Sequence, residues 1–214
     1  MRALPVALRA PLLLAAAIAL GGLAAAPATA QTSALPFQCQ ATPPIGSAQT
    51  FALSASANAT APATVTTGQA FSVTIAPGAL TVPSSVSGNT INSISGITLS
   101  MPVPANASLS GVSLSGGSGL GSGAPSTSVS GGTISLKVPG PIAGGSTFTL
   151  PTITLKLTAG AAGGTVSTHL AGSSYSSPGL TFTATVPELF FTVSVPTACY
   201  PSPSPVLSTT SITS

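Results

Sequence analysis

Charge is almost missing from this sequence. Its 214 residues hold one acidic side chain, Glu188, four basic ones, Arg2, Arg9, Lys137 and Lys156, and one histidine, His169. Aspartate and tryptophan do not occur, and there are only two tyrosines and two cysteines. Each shortage removes a class of chemistry. With no Asp and a single Glu, the paired carboxylates of glycoside hydrolysis cannot be assembled in their usual form. Counterion release on a nucleic acid needs several cations set against phosphates, so no nucleic-acid partner is expected. A metal centre would have to draw on His169, Glu188 and two distant cysteines, with no cluster at a ligand spacing, so neither a metal nor any other cofactor is expected. Without Trp and nearly without Tyr, the aromatic girdles of a membrane β-barrel are hard to build.

What the N-terminus does hold is a leader pattern. Arg2 and Arg9 precede the apolar stretch "PLLLAAAIALGGLAAA", which ends in Ala28-Thr29-Ala30, a small-x-small cleavage signature. Residues 1–30 therefore read as a signal peptide removed before Gln31. A retained transmembrane helix fits less well, because Gly21 and Gly22 break the run and a cleavage site follows it. No membrane span is expected after cleavage, and the protein is expected to be secreted, with cell-surface association as an option. Removal of the leader also takes both arginines, so the basic isoelectric point belongs to the precursor. Cys39 and Cys199 lie near the two ends of the remaining chain, which is bound for an oxidising compartment, and are expected to form a disulfide.

Aliphatic residues are plentiful and patterned, which argues against disorder. Period-two alternation recurs: Phe71, Val73 and Ile75; Ile97, Leu99, Met101 and Val103; Ile134, Leu136 and Val138; Ile153, Leu155 and Leu157. It continues through Leu180, Phe182, Ala184 and Val186 and closes with Leu189, Phe191, Val193 and Val195. Strands with one face on a core produce this pattern, and Ser or Thr fill the intervening positions. Pro and Gly punctuate the runs, and no capped helical period follows the leader. Many short strands in a chain of this size predict one all-β domain over residues 31–200, an antiparallel β-sandwich. The Gly/Ser-rich stretch 110–132 reads as a long flexible loop around one weak strand at Val112 and Leu114. The Pro/Ser/Thr-rich residues 201–214 read as an extended or disordered tail.

Two resemblances are present. "APATVTTGQAFSVTIAPG", residues 61–78, resembles the opening strands of immunoglobulin-like domains in bacterial surface proteins, with Gly68 in the turn, and so implies locally an immunoglobulin-like β-sandwich. "GITLSMPVPANASLSG", "VPGPIAGGSTFTLPTITLKLTAG" and "SSPGLTFTATVP", together with the terminal "TACYPSPSP", are similar to a group of secreted actinobacterial proteins of uncharacterised function. The second resemblance covers nearly the whole chain after the leader and carries no catalytic motif. It implies an exported β-rich protein.

Three residues remain to be weighed. A Ser–His–Glu triad would need His169 and Glu188, but no G-x-S-x-G elbow marks a nucleophile. His169 shares a face with Ser167, opposite Val166, Thr168 and Leu170, and is expected to be an exposed strand residue. Glu188 follows Pro187 at a strand edge and is expected to meet solvent. Phe190 falls opposite Leu189, Phe191 and Val193, so it is either covered by a neighbouring segment, the expected case, or part of an exposed apolar contact surface. The function expected is a non-catalytic structural or binding module of the cell envelope, whose partner is an envelope component or the protein itself. A secreted enzyme using His169 and Glu188 is the first alternative, and an envelope β-barrel pore the second.

Overall fold

The computed structural model describes residues 27–188 and 190–214, so the leader expected over residues 1–30 lies, as far as residue 26, outside the described residues. Eighteen strands follow one another. The first nine are β1 (Ala28–Ala41), β2 (Gln49–Pro62), β3 (Thr64–Thr66), β4 (Ala70–Pro77), β5 (Ala79–Thr81), β6 (Ser85–Val86), β7 (Asn89–Thr90), β8 (Ser93–Pro102) and β9 (Ala107–Ser115). Then come β10 (Ser126–Ser130), β11 (Thr133–Val138), β12 (Ile142–Ala143), β13 (Thr147–Thr149), β14 (Thr152–Ala159), β15 (Thr165–Thr168), β16 (Leu180–Pro187), β17 (Thr192–Pro201) and β18 (Ser208–Thr213).

Alternation decides which face of each strand is buried. On β14, Ile153, Leu155, Leu157 and Ala159 are buried while Lys156 points out. On β11, Ile134, Leu136 and Val138 are buried and Lys137 is exposed. Such strands have one dry face and one wet face, so they cover a common core. The cover is a single sheet of eleven strands in the order β10-β11-β8-β16-β17-β1-β2-β4-β14-β9, with β12 added beside β8. Every pairing in it is antiparallel. The two end strands, β9 and β10, come into contact without forming a ladder, so the sheet wraps into a sandwich that is nearly closed. The all-β expectation holds; an immunoglobulin-like division into two separate sheets is not confirmed by this continuous path.

Local chemistry sets the turns. Gly131 and Gly132 both have positive φ, 55° and 74°, and join β10 to β11 in the two-residue turn that only glycine adopts without strain. Cys39 and Cys199 are directly opposite one another in the β1–β17 ladder, with Cα atoms 4.1 Å apart, and are bonded. The bond closes a loop of 160 residues, worth about 5 kcal/mol in the chain-entropy account.

The chain's last residues are not the loose tail expected of them. β18 pairs with β15 on one side and, in parallel, with β3 on the other, forming a three-stranded sheet. Leu207 and Ile212 are buried, Thr210 donates its hydroxyl to the Pro62 carbonyl at 2.8 Å, and the Thr168 and Ser208 hydroxyls meet at 2.7 Å. "VLSTTSIT" is itself a short alternating run, and its apolar residues and threonines give it a face to bury despite the prolines before it.

The stretch 110–132 is likewise more ordered than expected. It supplies the end of β9, which pairs along β14, and the whole of β10. Between them, Ser118 and Thr149 exchange backbone hydrogen bonds of 3.0 and 2.9 Å. The glycines there serve close approach: a Cβ on Gly119 would lie 2.8 Å from the Thr147 carbonyl oxygen.

Candidate functional site: an apolar chamber inside the sheet

The inward positions of several strands do not meet across the core. They surround a chamber of about 700 Å³. β16 contributes Leu180, Phe182, Ala184 and Val186; β8 contributes Ile94, Ile97, Leu99 and Met101; β2 contributes Phe51, Leu53, Ala55 and Ala57. Leu35 and Phe37 of β1 and Val193 and Val195 of β17 complete much of the wall. The reason for the space lies in side-chain size. Ala55, Ala57 and Ala184 occupy inward positions where Leu or Phe would reach the middle. Phe51, Leu53, Phe182 and Val193 also point inward yet stay only partly buried, because they face the chamber rather than another side chain.

The chamber has a floor and a mouth. Leu170 and Leu207, both buried, line it together with Leu35, Leu99, Met101 and Leu180, so the C-terminal segment helps to close that end. At the opposite end lie the β1–β2 loop with Pro43, Pro44, Ile45 and Ser47, the β6–β7 hairpin with Val86, Ser87 and Asn89, and Glu188 with Phe191 at the β16–β17 turn. Ser47, Gln49, Asn89 and Glu188 are exposed there. Lining therefore passes from wholly apolar at the floor to mixed at the mouth.

Among the described residues, Glu188 is the only charged side chain that lines the chamber. Its backbone N–H donates to the Phe191 carbonyl at 2.8 Å, which closes the β16–β17 turn. That turn corrects the expectation for both phenylalanines. Phe190 is 95% exposed and Phe191 62% exposed, so Phe190 is not covered and Phe191 is not a core residue. Alternation cannot extend through a turn, and the inward face of this strand resumes only at Val193 and Val195. Leu189, expected on that face, lies outside the described residues. Ile45, 86% exposed, projects from the β1–β2 loop at the same end, so three large apolar side chains stand at the mouth.

His169 and Glu188 are not brought together. His169 is exposed just after β15, two residues before Ala171, whose N–H bonds Ser100 and whose carbonyl lies against Gly179 at the start of β16. Glu188 follows the far end of β16. Eight residues at about 3.3 Å each separate Leu180 from Glu188, roughly 25 Å. Lys137 and Lys156 point outward from β11 and β14 and line no part of the chamber. Among the described residues, no group of three or more His, Cys, Asp or Glu side chains is placed to hold a metal ion. Sequence reasoning missed the chamber; its trace was the run of alanines at alternate positions of β2, from Ala55 to Ala61.

The sequence matches no protein-family model and no curated protein. Among solved structures, the fold is similar to a "Putative membrane anchored protein" from Corynebacterium diphtheriae, with a TM-score of 0.58 and 20% identity over 85% of this chain. The chain spans 37% of that structure's length. At this identity the likeness establishes a shared fold.

Proposed function

We infer that this protein is a non-catalytic, cell-envelope-associated binding module that takes an apolar ligand into the chamber. The observation that carries the reading is the chamber itself. Its 700 Å³ falls inside the range of about 300–1,000 Å³ occupied by small-molecule sites. Water that enters through the mouth finds few hydrogen-bond partners on walls of Leu, Ile, Phe and Ala, so it is easily displaced. An apolar ligand recovers dispersion and hydrophobic contact together.

The envelope setting is supported by the leader pattern, by the Cys39–Cys199 bond, which persists in oxidising compartments, and by the printed description of the similar fold as membrane anchored. The pore alternative runs against the side-chain pattern. A membrane barrel turns its apolar side to lipid, whereas β14 and β11 here turn theirs inward and set Ser, Thr and Lys outside. The enzyme alternative gains no support from His169 and Glu188, which stand at opposite ends of β16.

Titration of the purified protein with an uncharged naphthylamine dye, whose emission rises in apolar surroundings, tests the reading. Saturable binding at one site per chain is expected. Ala184→Phe and, separately, Ala55→Phe are expected to abolish it, because each ring occupies the chamber from a wall alanine. Absence of saturable binding to the native protein overturns the reading.

A further inference from the structure

We propose that the ligand is an amphiphile that enters apolar end first and leaves an uncharged or cationic head at the mouth, beside Glu188. This rests on the chamber being a ligand site, and it adds the ligand's polarity and charge. On β16 the lining runs from Leu180 at the floor to Glu188 beyond the strand's end, roughly 25 Å at ~3.3 Å per residue, so the two ends of a ligand meet different surroundings.

Charge comes from the distribution of polar groups. The floor, with Leu35, Leu99, Met101, Leu180 and Leu207, offers no polar side chain, and buried Thr197 on the wall donates its hydroxyl to the Val195 carbonyl at 3.4 Å, so the buried portion of the ligand has little to satisfy. At the mouth, Gln49 and Asn89 present amides, Ser47 and Ser87 present hydroxyls, and Glu188 presents a carboxylate. Among the described residues, no Lys, Arg or His lines any part of the chamber. Proteins that bind fatty-acid anions or phosphate heads need a cation or a set of converging N–H donors for the charge. Here the one charge repels an anionic head, while hydroxyl and amine heads find acceptors and amides.

Displacement of the naphthylamine dye from the full chain by twelve-carbon compounds that differ only in the head group tests this: dodecanol, glycerol monododecanoate, dodecylamine and dodecanoate. At pH 8 the three compounds without a negative head are expected to displace the dye at least roughly fivefold more effectively than dodecanoate, the factor that one like-charge contact near 4 Å in water produces. In Glu188→Gln, whose exposed position leaves the fold undisturbed, dodecanoate is expected to approach the ester. Equal displacement by acid and ester in the native protein, or a gap unchanged in Glu188→Gln, overturns the assignment of the head. If the dye itself does not bind, the chamber reading fails, which is a separate result.

Discussion

Gly179 has no space for a side chain. A Cβ there would run into the carbonyl of Ala171, backbone against backbone, and neither partner is the free end of a flexible side chain. Gly179→Ala is therefore expected to lower stability by about 1–3 kcal/mol, the usual cost of overpacking, measured by urea unfolding. Leu155 gives the opposite experiment. It is fully buried on β14, next to Ile153 on the same inner face, and does not itself line the chamber. Leu155→Ala is expected to cost about 2–5 kcal/mol. Phe182, which faces the chamber with part of its surface free, should cost less when shortened to Leu than a change of similar volume in the packed core, and should alter dye binding instead. Comparing unfolding midpoints with dye affinity for Leu155→Ala and Phe182→Leu separates packing residues from lining residues.

Among the elements, β18 is where sequence reading and structure part furthest. Pro201, Pro203 and Pro205 suggest a chain that cannot join a sheet, and that inference is sound for Pro203 and Pro205, whereas Pro201 ends β17 opposite Phe37. It does not extend to the six residues of β18, whose Thr210 and Ile212 face inward as regularly as those of any core strand. Truncation after Ser204 removes Leu207 and Ile212 from the core and opens the chamber floor. A loss of at least about 3 kcal/mol is expected, since each buried aliphatic side chain contributes about 1.5–3 kcal/mol. Thermal unfolding of the truncated chain checks this, and an unchanged midpoint would return the segment to the status of a loose end. By contrast, β11 and β14 were legible from alternation alone, because each has an unbroken inner row of aliphatic residues, as were Ile97 to Met101 of β8 and Leu180 to Val186 of β16. The place where β16 ends was not legible, since Phe190 and Phe191 read as strand by composition. Only the backbone bond from Glu188 to Phe191 takes these two phenylalanines out of the strand.

For the whole molecule, the longer core-facing strands were within reach of the sequence, while the total of eighteen among the described residues and their order were not. Alternation identifies a face, but it carries no information on which strand lies beside which. The pairing of β8 with β16, and of β14 with both β4 and β9, depends on how the complete set of inner faces shares one interior. The chamber was hidden for the same reason: small residues at Ala55, Ala57 and Ala184 leave a space only when strands from distant parts of the chain face one another. Because these alanines belong to different strands, Ala55→Phe and Ala184→Phe should each remove dye binding without any contact with the other's ladder.

The disulfide has a mechanical consequence. Cys39 and Cys199 join neighbouring strands of the main sheet. If the chain is held at Ala28 and drawn out by its C-terminus, tension passes from β1 to β17 through the two sulfurs and bypasses everything between them. The segments outside the bond extend by roughly 90 Å when straightened, while the 160-residue loop keeps back roughly 540 Å more at about 3.4 Å per residue. Single-molecule pulling should therefore give a short extension for the oxidised protein and the long one only after reduction: the short one draws Leu35, Phe37 and Leu207 away from the chamber, while the lining between Cys39 and Cys199 stays inside the closed loop.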